Sequence, residues 1–293
     1  MDLTSLPPYL RATKRGAHDL LHVEGSRASA TISLHGAHVL DWAPKGTSPV
    51  LFLSPDAQFA SHKAIRGGIP ICWPWFNAHP SETSFPSHGF ARIGNWECQE
   101  VTDSPDGPHL RFQLLREEQD RSWFPFDAQL TLEVTVGDSL QLSLTTANLG
   151  DEPFPISQAL HTYFHVDDIS QTNVLGLESA PFLDTVPDPP KECSASGQPI
   201  TIEEEVDRIY QVEEGSVLRL IEKTRTITLS SRNSQSAVVW NPWIERSQSL
   251  ADLPDQAYLR FLCVETANVG RDQRTLTPGE STSLELRIGI EEA

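Results

Sequence analysis

The chain has 293 residues, with 22 Lys and Arg against 40 Asp and Glu, a formal charge of -18 at neutral pH. That balance excludes a broad nucleic-acid or anionic-membrane surface, which needs a positive field. It leaves room for a small anionic ligand, because a few local arginines can override the global field inside a cleft.

Apolar content is ordinary for a globular protein, and no run is long enough to cross a membrane as a helix. A chain of this length can fold as one all-β unit over residues 1–293. The start, MDLTSLPPYLRATKRG, lacks the continuous apolar region of a signal peptide. Short segments of period-two alternation begin at Ala30–Leu34. The tract Ile65–Phe76 reads IRGGIPICWPWF. Gly67 and Gly68 permit backbone geometries closed to other residues, and Pro70 and Pro74 restrict their neighbours. Arg66 therefore projects from a stiffened path, and Trp73 and Trp75 offer a flat wall suited to a sugar ring. A rigid packed turn with a surface arginine is equally compatible with the composition.

Next, Ser87–Arg92 sets His88 and Arg92 beside Gly89. His62, His79 and His88 match no compact metal spacing, so no metal is expected. Leu110–Leu114 alternates. Leu130, Leu132, Val134 and Val136 form one apolar series, and Leu140, Leu142 and Leu144 the next, after Gly137-Asp138: a hairpin. In Ser157–His165, an extended backbone puts His161 and Tyr163 on one face. Leu183–Ile200 is rich in Pro, Ser and acidic residues and reads as a long surface loop. Val217–Ile221, Thr224–Leu229, Ser236–Trp240 and Leu259–Glu265 follow as strands. The last of these ends on a carboxylate, placed at a strand rim or in a pocket. Pro278-Gly279-Glu280 supplies a turn before the clean alternation of Leu284–Ile288. Long amphipathic helices are missing, and 22 prolines interrupt any attempt to draw them. The fold class that follows is all-β, a large antiparallel sandwich with long loops. Cys72, Cys98, Cys193 and Cys263 are too widely spaced for a zinc site or a disulfide framework and read as reduced thiols of a cytoplasmic protein. A histidine at 161 and a glutamate at 265 are suited to coupled proton transfers on a sugar, if they share a cavity.

The strings IRGGIP, HGFAR, ALHTYF, DRIY, NPW and CVE occur in this order. In them the chain resembles the glucose-6-phosphate 1-epimerases, or hexose-6-phosphate mutarotases, a branch of the galactose-mutarotase-like superfamily, over roughly Gly36 to Ile290. The resemblance implies a single β-supersandwich with an open cleft and no cofactor. It implies His161 as general acid, Glu265 as general base, Arg66 and Arg92 at the substrate phosphate, His88 in the cleft and Asp207 as a sugar contact. One segment departs from the family's Tyr-Asp-Lys-like string: Phe182, Asp184 and Thr185 stand there, so a lysine contact to the phosphate is missing. The expected partner is a hexose 6-phosphate, and the expected state a monomer. The alternatives are an aldose 1-epimerase for unphosphorylated sugars and a carbohydrate-binding protein without turnover.

Overall fold

The computed structural model of the chain describes residues 6–292, and its regular structure is mostly antiparallel strand; the first five residues of the N-terminal stretch lie outside the described part. Strands Leu10–Arg15, His18–Glu24, Ala28–Ser33 and His38–Pro44 form a four-stranded meander. One eight-stranded sheet runs from Asn173–Leu175 through Val217–Ile221, Arg225–Arg232, Ser281–Glu292, Leu140–Asn148, Ala128–Val136 and Gly107–Leu115 to Asn95–Ser104. The expected hairpin lies inside it, closed between Val136 and Leu140.

The second eight-stranded sheet orders Lys191–Cys193, Phe182–Asp184, Val206–Gln211, Ser236–Asn241, Phe261–Asn268, Gln158–Leu160 and Ile71–Cys72, with Tyr163–His165 also paired to Phe261–Asn268. Its pleat explains where the site lies. Alternate side chains of a strand point to opposite faces. Val239, Leu262 and Val264 turn to the core shared with Phe112, Leu132, Leu144 and Leu284 of the first large sheet. In register, Asp207 faces Trp240, Trp240 faces Cys263 and Val238 faces Glu265. These residues fall on the other face, away from that core.

Three expectations change. Leu183–Ile200 is not a bare loop: Phe182–Asp184 and Lys191–Cys193 pair within it and extend the second sheet. Leu259–Glu265 begins as a 3-10 turn at Ala257–Arg260, and the strand proper runs from Phe261 to Asn268, so Glu265 is inside a strand and not at its end. Trp73 and Trp75 are core residues, 0% and 6% exposed, and form no wall for a ligand. Their indole N–H groups donate to Thr146 Oγ1 and to the Pro86 carbonyl. Helix is confined to short pieces such as Glu118–Trp123 and Trp243–Gln248. Among the described residues no helix is long and apolar enough to cross a membrane.

Candidate active site

Between Gln158–Leu160 and Tyr163–His165 the chain breaks from strand pairing, and the His161 amide donates to the Pro70 carbonyl. That bond ties His161 to the glycine- and proline-shaped Ile65–Phe76 tract. The tract runs close to its neighbours: a Cβ on Gly68, at φ +64°, would sit 2.3 Å from the Val39 carbonyl oxygen. His38 fixes it from below, its Nε2 2.6 Å from the Gly67 carbonyl. Gly89, at φ +69°, is tighter still, since a Cβ there would meet the Trp73 carbonyl oxygen at 1.9 Å. Only glycine lets Ser87–Arg92 fold against Trp73 and turn His88 and Arg92 towards the sheet.

These loops and the outer face of the second sheet enclose a cavity of about 550 Å³, and all six residues expected from the sequence line it: His161, Glu265, Arg66, Arg92, His88 and Asp207. His161 Nδ1 lies 3.2 Å from Glu265 Oε1. The alignment is too poor for a hydrogen bond, and both His161 Nδ1 and Glu265 Oε2 are buried without a partner among the described residues. A polar pair held close but unsatisfied is poised for a ligand. The ring of His161 stacks on Tyr163, centroids 4.9 Å apart and planes 9° apart, and meets Trp240 edge-on.

Burial drives the electrostatics of the pair. It pushes the Glu265 carboxyl well above the usual carboxylate range, Asp207 pushes the same way, and Arg92 opposes. It holds His161 well below an ordinary histidine, with Arg92 and Arg66 adding to the effect. His88 is lowered too, by burial first and then by Arg92 and His161. Its Nδ1 accepts from the Asn77 amide at 3.3 Å and its ring lies 5.8 Å from that of His161. Asp207 is raised by burial, against a hydrogen bond with Thr185.

The two expected phosphate arginines differ. Arg66 Nε donates to Asp252 Oδ1 at 3.1 Å, Nη2 lies 3.1 Å from the same oxygen, and Nη1 donates to the Tyr163 hydroxyl at 3.0 Å. Each of its three nitrogens has a partner, and the carboxylate balances its charge. Arg92 uses Nη2 on the Ser87 carbonyl at 2.9 Å, while its Nε is buried without a partner. In the departing segment, Asp184 turns to Arg208 at 3.9 Å, whereas Thr185 and Val186 line the cavity.

Sequence reasoning missed Trp240, Tyr163 as a support for His161, and Arg246 on Trp243–Gln248, the third guanidinium of the cavity. The NPW string carried the signal for two of them, since Trp240 precedes it by one residue and Arg246 follows it by three.

A β-supersandwich with a histidine–glutamate pair in a polar cavity defines a mutarotase-like protein. A structure of a "putative mutarotase" from Salmonella typhimurium superposes with a TM-score of 0.90 at 33% identity, covering 99% of this chain and 96% of that one. A galactose mutarotase-like protein from Clostridium acetobutylicum shares the fold at a TM-score of 0.77 and 15% identity, over 97% of this chain and 99% of its own. The chain belongs to the aldose 1-epimerase family, whose sequence pattern matches residues 19–289. It is 34% identical, over 93% of its length and 90% of the relative's, to an Escherichia coli protein named "Putative glucose-6-phosphate 1-epimerase". A protein of the same name from Cenchrus ciliaris is 36% identical, over 86% of this chain and 78% of that one.

Proposed function

We propose that the protein interconverts the α and β anomers of D-hexose 6-phosphates, chiefly D-glucose 6-phosphate, by acid–base opening and closing of the ring. The observation that carries the reading is the buried, unsatisfied His161–Glu265 pair in a cavity walled by arginines. Membership of the aldose 1-epimerase family supports the anomer chemistry, and the names of its relatives support the phosphorylated substrate.

Glu265 takes the proton of the anomeric hydroxyl while His161 delivers one to the ring oxygen. The bond from the anomeric carbon to the ring oxygen breaks as the carbonyl forms. Rotation about the adjoining carbon–carbon bond presents the other carbonyl face, and the reversed transfers close the ring. Carboxylate with imidazolium, and carboxylic acid with neutral imidazole, hold the same number of protons. Ring opening converts the first into the second, the form that burial favours, so the open-chain intermediate meets a pair at rest. Each group then works in both directions without exchanging a proton with solvent.

Asp207 and His88 face the sugar hydroxyls, and Arg92 faces the phosphate. Arg66 is better described as a positioning residue: Asp252 balances its charge, and through Tyr163 it holds the ring of His161. The neutral-sugar reading leaves Arg92 without an anion to justify its half-buried charge. The four cysteines are free thiols, which supports a reducing, cytoplasmic setting. The test is the rate of anomer exchange for glucose 6-phosphate and for free glucose, each corrected for spontaneous mutarotation. The reading expects a large preference for the phosphate; equal rates would return the protein to the neutral-sugar epimerases.

A further inference from the structure

Three guanidiniums line the cavity, and they are not equivalent. A phosphate dianion seeks donors that are free and a charge that is not already balanced. Arg66 offers less of both, because each of its three nitrogens already has a partner and Asp252 balances its charge. Arg92 offers part of its fork, with one terminal nitrogen held by the Ser87 carbonyl. One incompletely free guanidinium is a poor match for two negative charges.

Arg246 is different. Its side chain is exposed on the cavity rim, and among the described residues its guanidinium makes no hydrogen bond and no ion pair within 4.0 Å. Its backbone is nevertheless well placed. The Trp243 amide donates to Asn241 Oδ1 at 2.9 Å, and Asn241 Nδ2 donates to the Tyr258 and Phe261 carbonyls, both at 2.9 Å. Ser247 is fully buried beneath the helix, and Leu250, just past its end, is itself a cavity residue. A fixed base therefore carries a free head. The charge of Arg246 is felt by Glu205 and Asp207, and neither carboxylate approaches within ion-pair distance. An arriving anion can recruit the guanidinium without breaking a close contact.

We propose that Arg246 is a direct partner of the substrate phosphate, closing over it from the rim of the cavity and adding to the contribution of Arg92. This rests on the hexose-phosphate reading above and assigns its specificity to a residue outside the loops that hold Arg66 and Arg92.

Two measurements test it. In turnover, Arg246→Ala should lower kcat/KM for glucose 6-phosphate by about 10–150-fold, chiefly through KM, the range for one charge-assisted hydrogen-bonding partner. The ratio of that efficiency to the one for free glucose should fall at least about 10-fold. Arg246→Lys should restore part of the loss. In binding, calorimetry with glucose 6-phosphate in a Glu265→Gln background, where turnover is blocked, should show the same weakening when Arg246→Ala is added. Arg246→Gln, closer in shape, serves if the alanine variant does not fold. Wild-type enzyme that binds and turns over glucose 6-phosphate while both Arg246 variants keep its affinity and selectivity overturns the assignment and leaves the hexose-phosphate reading intact. Wild-type enzyme without preference for the phosphate overturns the reading itself, and this proposal with it.

Discussion

Replacing Arg66 by alanine should damage catalysis on phosphorylated and unphosphorylated sugars alike. The guanidinium donates to Tyr163 at 3.0 Å and to Asp252 at 3.1 Å, and Tyr163 is stacked on His161 at 4.9 Å. The Arg66 and Asp252 side chains are only 21% and 24% exposed, so solvent weakens their contact little. A hydrogen bond with one charged member contributes roughly 1.5–3 kcal/mol. If the support of His161 loses that much, kcat falls by about 10–150-fold. Because Asp252 already balances the charge of Arg66, the loss should be shared: the efficiency ratio of glucose 6-phosphate to free glucose should move less than about 3-fold. Arg92→Ala, with its partly free fork, should instead lower that ratio by at least about 10-fold. Exchange between anomers can be followed by polarimetry or magnetisation-transfer NMR on the folded variants. A loss in Arg66→Ala confined to the phosphorylated substrate would refute the positioning role and restore Arg66 as a phosphate ligand.

Glu265→Gln should raise thermal stability while it lowers turnover, because a carboxyl with a raised folded pKa destabilises the folded state once ionised. The sign follows from linkage: its stability contribution is intact below the unfolded pKa near 4.5 and is lost as pH rises through the folded value, so the gain in Tm from the variant should grow from pH 4.5 upwards. Acid should destabilise the protein through His38, which burial lowers from 6.5 to about 3. Stability is full above pH 6.5 and falls below it, by about 3 kcal/mol from this group on reaching pH 4.5. His38→Asn should flatten the decline in Tm over that window, and an unchanged slope would count against it. Exhaustive chelation should leave anomer exchange unaltered, since the acid and the base are side chains of the chain itself; activity restored by one particular metal would contradict that.

The alternation of Leu130–Val136 and Leu284–Ile288 exposed the antiparallel sheets because each strand of that sheet buries one face only. The central strand Phe261–Asn268 is buried along its whole length, and there the sequence cannot say which side Glu265 takes. Pairing in register with Val238 decides it, and that pairing joins segments far apart in the chain. The six cavity residues are legible as strings, yet the pairing of Arg66 is not, because Asp252 comes from a distant loop. Trp73 and Trp75 misled for a related reason: tryptophans beside glycine and proline read as a ligand wall, but they fill the core under Phe90 and Phe124. Arg246 has only its place three residues after the NPW string as a local mark. Its meaning comes from the cavity it overhangs.

The central claim is that His161 and Glu265 together move the two protons of ring opening. Anomer exchange of glucose 6-phosphate, measured on wild-type, His161→Ala and Glu265→Gln enzyme at equal concentration, tests it most directly. Turnover should fall by at least about 100-fold in each single variant, with little further loss in the double, since neither group works without the other. Exchange near the wild-type rate in either folded single variant would contradict it.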